Sequence, residues 1–243
     1  MAVRSRVHQV FRVPRVLLPV IHPIGHAEAI SAVDVCVAAG VRGVFLIDQG
    51  MRVEEVLALA VEVHARHPGL WVGLNLLALD PVEALRGALE RCAGRLDGLW
   101  SDDAHVHEGS REQPRAQAFV DARRELDWDG LYFGGVAFKY RRPVPDEQLA
   151  EAARVAAGYM DVVCTSGAGT GIAAHRDKLA RMRQGLAGRD GAALALASGV
   201  TLDNVADYLD FTDAFLVGTG IEREFGVLDP DRVARLQARI DAG

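Results

Sequence analysis

Eight apolar stretches of the chain each stop at a residue that can do chemistry or bind an anion. In order these are His22, Asp48, Asn75, Asp102 with Asp103, Lys139, Thr165 with Ser166, Ser198, and Gly218 with Thr219. Asp48, Asp102 and Asp103 are the residue types for general acid–base work or for holding a sugar hydroxyl. Each also has a plainer use. Asp48 can cap the next helix, and Asp102-Asp103 can be a solvated loop pair. Asn75 can orient a substrate hydroxyl or brace a loop. His22 precedes a proline and suits a structural histidine as well as a catalytic one. A lysine at the end of a buried strand is costly to desolvate unless it meets an anion or a carbonyl. Lys139 therefore reads as an anion partner first and as a Schiff-base lysine second. His105, His107 and Glu108 form HVHE, a weak metal signal because no second cluster matches it.

The glycines supply the other half of the chemistry. AALALASGVT (192–201) and DAFLVGTGIE (213–222) are strand-length runs of small apolar residues that halt at Gly199 and Gly218. Glycine there lets backbone N–H groups approach an anion, and two such loops after strands seven and eight of a barrel make a phosphate cradle. Ser198 and Thr219 add hydroxyls. SGAGTG (166–171), with Gly167 and Thr170, would cover the same end of a ligand together with Thr165 and Ser166.

These residues need elements to hold them. Strand-like runs lie at 16–22, 43–48, 71–75, 97–100, 130–139, 161–165, 192–197 and 214–217. Amphipathic helical stretches separate them, with N-cap chemistry at Asp80-Pro81, Thr201 and Asp229-Pro230. Gly134-Gly135 suggests a bulge in the fifth strand. The runs are continuously apolar, as in strands covered on both faces. Strict alternation of eight units predicts a (β/α)8 barrel in residues 16–243, behind an N-terminal extension, 1–15. An open doubly wound sheet has the same local pattern. GAGTG after strand six, however, stands in the wrong place for a dinucleotide fingerprint.

The 243 residues are half hydrophobic and a quarter charged, with a formal net charge of −6. That balance argues against nucleic-acid binding through a broad basic surface. Cys36, Cys92 and Cys164 form no CxxC pair and read as buried, reduced thiols of a cytoplasmic protein. The apolar segment 16–24 has nine residues, is broken by two prolines, and is too short to insert in a membrane. Barrels of this size commonly associate through their outer helices, so a homo-oligomer is compatible with the sequence.

VGLNLLALD (72–80), VAFKY (136–140), DVVCTSGAGTG (161–171), ASGVTLDNVADYL (197–209) and DAFLVGTGIERE (213–224) resemble the BtpA/SgcQ-like proteins. The likeness runs from about residue 17 to the end. It implies a phosphate-binding barrel, and it implies less about reaction. One member is named for a role in photosystem I biogenesis, and others sit among sugar-metabolism genes. The chain departs from the family pattern after His22, at Asp48-Gln49, at Tyr140 and at SDDAH (101–105), all at the expected barrel mouth. Residues and resemblance together predict an enzyme acting on a small phosphorylated metabolite, a sugar phosphate or phosphoribosyl compound, by isomerase, epimerase or lyase chemistry. No cofactor is required. A non-catalytic assembly factor is the alternative. A metal-dependent hydrolase is a further one, if His22 and the aspartates converge on a divalent ion.

Overall fold

A computed structural model describes residues 5–189 and 191–243. Strands β1 (Val16–Ile21), β2 (Gly43–Ile47), β3 (Trp71–Asn75), β4 (Gly98–Ser101), β5 (Leu131–Gly135), β6 (Val162–Ser166), β7 (Ala193–Ala197) and β8 (Ala214–Val217) pair in parallel, each with the next. β8 returns to β1 in the register Val16↔Ala214 to Pro19↔Val217, so the sheet is a closed barrel and not an open doubly wound one.

Helices α2 (His26–Ala38), α3 (Val53–Arg66), α4 (Pro81–Arg91), α5 (Pro114–Glu125), α6 (Leu149–Ala156), α7 (Arg176–Leu186) and α8 (Pro230–Asp241) form the outer ring. The Asp-Pro caps behave as their chemistry predicts. Asp80 accepts the Val82 N–H at 3.1 Å, and Asp229 accepts those of Asp231 and Arg232 at 3.0 and 3.1 Å.

Strand alternation sorts the core into two layers. Leu17, Ile21, Leu46, Leu74, Leu99 and Tyr132 face the helices. Leu18, Phe45, Trp71, Trp100, Phe133, Ala195 and Leu216 face the barrel axis. Phe45 packs edge-on to Trp71, Trp100 and Phe133 with centroids 5.1–5.5 Å apart. The large rings thus come from β2–β5, whereas β7 and β8 contribute Ala193, Ala195, Ala197 and Ala214. Of these, Ala197 stands at a C-terminal strand end, beside Leu216 of β8.

The other end of the barrel is closed. Asp97, Asp161 and Asp213 stand just before their strands, and each accepts a backbone N–H of the preceding strand, from Val72, Tyr132 and Leu194 at 2.8–2.9 Å. In the extension, α1 (Arg6–Phe11) lays buried Val7 and Phe11 against this end, with Phe11 5.3 Å from Trp71. Arg6 reaches Asp161 at 3.0 Å.

Three expectations need correction. β5 ends at Gly135, not at Lys139, because Ala137 adopts a left-handed φ of 49° and turns the chain out of the sheet. Gly134 and Gly135 keep unbroken register with β6, so there is no bulge. A Cβ at residue 135 would instead overlap the Asp102 carbonyl. No α-helix follows Thr201. Asn204 accepts the Thr201 N–H and donates to the Gly199 carbonyl, both at 2.8 Å. That local bonding competes with helix formation, and only a 3-10 turn, Val205–Tyr208, results.

Candidate functional site

The C-terminal mouth of the barrel holds a cavity of about 290 Å³. It reaches from Val20 on β1 and His22 just after it to Ser198–Val200 after β7 and Gly218–Gly220 after β8. Alternation decides which strand-end groups turn toward the barrel axis. His22, Asn75, Asp102, Ser166 and Gly218 continue the inward face set by Val20, Gly73, Trp100, Cys164 and Leu216.

His22 and Asp102 both line the cavity, and each is held from behind. His22 is 8% exposed, and its Nδ1 lies 2.7 Å from Glu222 Oε1. A carboxylate only accepts, so Nδ1–H donates and Nε2 is left for a ligand. Phe225 stacks on the imidazole at 5.0 Å. Asp102 Oδ1 accepts from Asn75 Nδ2 at 3.2 Å. Burial raises the Asp102 carboxyl above the ordinary range, against the opposing pull of the Asn75 hydrogen bond and of the Lys139 and Arg141 charges. Asn75 is 1% exposed, and its Oδ1 has no partner among the described residues, which ordinary cores avoid.

Glycine shapes the cradle side. Gly199 has φ 71°, and a Cβ there would overlap the Ile172 carbonyl. A Cβ on Gly218 would lie 2.5 Å from His22 Cε1. Ser198 holds φ 73°, unusual outside glycine, and its Oγ donates to Gly169 O at 2.8 Å, tying the β7 loop to the β6 loop. Thr219–Ile221 forms a 3-10 turn, in which the Ile221 N–H donates to Gly218 O at 3.0 Å. The opening N–H groups of such a turn have no acceptor within it.

Lys139 lines the cavity from the loop after β5, with Nζ 3.2 Å from Thr170 Oγ1 and 5.9 Å from the Phe138 ring. Thr170 donates its N–H to the Tyr140 hydroxyl at 3.1 Å. Tyr140 and Ser198 are both left-handed non-glycine residues, the kind of backbone strain that collects at functional sites.

The remaining candidates lie away from the cavity. Asp48 follows inward-facing Ile47, so it points outward and accepts the N–H groups of Leu77 and Ala78 at 2.8 and 3.3 Å. Asp103 likewise faces away. It accepts the His105 N–H at 2.8 Å, and the His105 side chain holds its carboxyl down at about 2. Thr165 Oγ1 donates to Ala137 O, and Ser166 Oγ accepts the Lys139 N–H at 2.8 Å. Gly167 permits the close passage of residues 172–173. Of HVHE, His105 lies between Asp80 and Asp103, and Glu108 pairs with Arg142. Among the described residues no group of three or more His, Cys, Asp or Glu is placed to hold a metal ion. The convergence that a metal-dependent hydrolase needs is therefore not found there. Cys36, Cys92 and Cys164 are buried and free.

Two residues escaped the sequence reading. Glu222 opens a small hairpin, β9 (Glu222–Glu224) with β10 (Val227–Leu228), between the last barrel strand and the last helix. Lys178 donates to the carbonyls of Ala137 and Ser166 at 2.5 and 2.7 Å, and burial pulls its amine down to about 8. Its signal is a lysine in the first turn of α7, where the helix dipole disfavours a cation.

The family model of the BtpA family matches residues 45–241. The chain belongs to the BtpA family. No curated protein matches it by sequence. Solved barrels share the fold of this BtpA-family chain. Phosphoribosyl anthranilate isomerase from Thermus thermophilus is 18% identical with a TM-score of 0.62, over 94% of this chain and 98% of that one. A phosphoribosyl anthranilate isomerase in complex with reduced 1-(o-carboxyphenylamino)-1-deoxyribulose 5-phosphate is 13% identical with a TM-score of 0.64, over 94% and 100%. 3-Keto-L-gulonate-6-phosphate decarboxylase from Vibrio cholerae is 16% identical with a TM-score of 0.62, over 95% and 98%. Among the described residues no helix is long and apolar enough to cross a membrane.

Proposed function

We propose that this chain is an enzyme acting on a small phosphorylated metabolite, a sugar phosphate or phosphoribosyl compound, by proton transfer of the isomerase, epimerase or lyase kind. One observation carries the reading. His22 and Asp102 line one cavity, each is oriented by a buried partner, and the glycine loops after β7 and β8 form the wall beside them.

The roles follow from the chemistry of each group. The phosphate sits on backbone N–H groups of Gly199, Val200 and Gly218–Gly220, where three of the five residues carry no side chain. His22 Nε2 takes a proton from the carbon next to the substrate carbonyl, while Glu222 keeps the imidazole in its tautomer and balances the imidazolium. Asp102 retains its proton to higher pH than an ordinary carboxyl and donates it to the carbonyl oxygen, giving an enediol. His22 then gives its proton to the former carbonyl carbon while Asp102 takes one from the hydroxyl on the neighbouring carbon, which moves the carbonyl by one position and returns both groups to their starting state. Lys139 offsets the substrate's negative charge. The fold neighbours whose names include phosphorylated sugars support the substrate class, as analogy of fold only.

The test is thermal denaturation across sugar phosphates, free sugars and inorganic phosphate, followed by solvent-deuterium incorporation into any ligand that stabilises. At about 100 times its dissociation constant a ligand adds roughly 2.7 kcal/mol. Stabilisation by phosphorylated sugars, with deuterium entering a carbon–hydrogen bond, supports the reading. Binding without exchange points to the non-catalytic alternative, and no stabilisation by any phosphate compound overturns the phosphate site.

A further inference from the structure

We infer that the substrate carries a flat apolar group besides its phosphate, and that Leu77 and Tyr140 select for it. This inference rests on the phosphate site proposed above. Below the polar groups, the cavity floor is hydrocarbon and indole: Val20, Ile47, Trp100 and Leu216. Leu77 and Tyr140 continue that surface up the wall, and both are exposed, at 38% and 76%. Several polar groups of the wall are already engaged within the protein. Ser198 Oγ bonds Gly169 O, Thr170 Oγ1 takes Lys139 Nζ, and Asp102 takes Asn75.

A bare sugar would lay several hydroxyls on this floor without partners, which is unfavourable. A ring would cover the same floor and the exposed Leu77 and Tyr140 faces and brings no polar atom of its own that needs a partner there. Size agrees. A dry cavity of about 150 Å³ accepts benzene, and this one measures about 290 Å³, which leaves comparable room for the phosphorylated portion. Tyr140 is braced for the role by the Thr170 N–H on its hydroxyl.

The experiment compares ribose 5-phosphate, phenyl ribofuranoside 5-phosphate and inorganic phosphate by calorimetry on the full chain. The phenyl compound is expected to bind at least about tenfold more tightly than ribose 5-phosphate, the gain from covering one ring face. Leu77→Ser with Tyr140→Ser should shrink that gap to under about threefold, the gap being a ratio in which any loss common to both ribosides through the Tyr140–Thr170 contact cancels. Tyr140→Leu, which keeps the apolar surface, should retain the preference. Both positions are exposed, so folding is not at stake, and an unchanged circular dichroism melt verifies this. Equal binding of the two ribosides, or a gap that survives the double variant, overturns the inference and leaves the phosphate site standing. Failure of all three compounds to bind overturns the phosphate site and this inference with it.

Discussion

Asp102 and Asp103 are neighbours in sequence with opposite fates. Asp102 turns into the barrel, where burial lifts its carboxyl, and Asp103 turns out to His105, which holds its own down to about 2. A carboxyl raised in the folded state favours folding most in acid, and that contribution is lost as pH rises through the folded value. Asp102→Asn should therefore melt higher than the wild type at pH 8, with the gap closing by pH 4. Its turnover on the eventual substrate should drop about a hundredfold or more, the usual loss of a general acid. A variant that melts lower at pH 8 would contradict the desolvated carboxyl. Glu222→Gln keeps a side chain near His22 but removes the carboxylate that fixes its tautomer. Turnover should fall about a hundredfold with KM within about threefold, measured by steady-state kinetics. Much of this was legible. Strand alternation carried from Val20 to His22, Gly73 to Asn75 and Trp100 to Asp102 marks the inward groups. The same rule turns Asp48 and Asp103 outward. Lys139 was legible as a cation of the site but not as a loop residue, because the turn at Ala137 carries no glycine to announce it.

At the scale of elements, the barrel strands were readable because each is an unbroken apolar run between polar segments, and the Asp-Pro caps because their chemistry is local. The exceptions come from local side-chain bonding that competes with a helix and from contacts distant in sequence. The segment after Thr201 folds as a 3-10 turn around Asn204, and Tyr208 reaches back to the Ala174 carbonyl at 3.0 Å. The β9–β10 hairpin is a few residues long, and its worth lies in delivering Glu222 to a histidine 200 positions earlier. α1 falls in what the sequence marked only as an N-terminal extension, yet Phe11 is 4% exposed and packs against Trp71 under the barrel. Phe11→Ala should cost about 3 kcal/mol, read from urea denaturation. Ligand affinity at the mouth should stay within twofold or so, because the two sites are at opposite ends of the barrel and share no partners. A loss of binding without a loss of stability would contradict a purely architectural role for α1.

For the molecule as a whole, Lys178 links the stability of the fold to the geometry of the mouth. Its ammonium sits behind the site and ties the β5 loop, through Ala137, to the end of β6, through Ser166. Ser166 in turn holds the Lys139 backbone. Burial depresses the amine to about 8, against about 10.4 for a free lysine. Between those values the unfolded chain binds a proton that the folded chain gives up, so stability contributed by this group rises with pH across that window. Below about pH 8 the full cost of the buried charge is present. Lys178→Met abolishes the titration and leaves two carbonyls without their donor. The difference in urea-unfolding free energy between wild type and variant should therefore change between pH 7.5 and 10, the wild type gaining. Parallel curves would show that the amine does not titrate in that range. The same variant frees the loop that carries Lys139 and Tyr140, so affinity for a phosphorylated ligand should fall by about tenfold at neutral pH. Lys178→Arg should not restore it, because the planar guanidinium cannot reproduce a compact ammonium between two converging carbonyls.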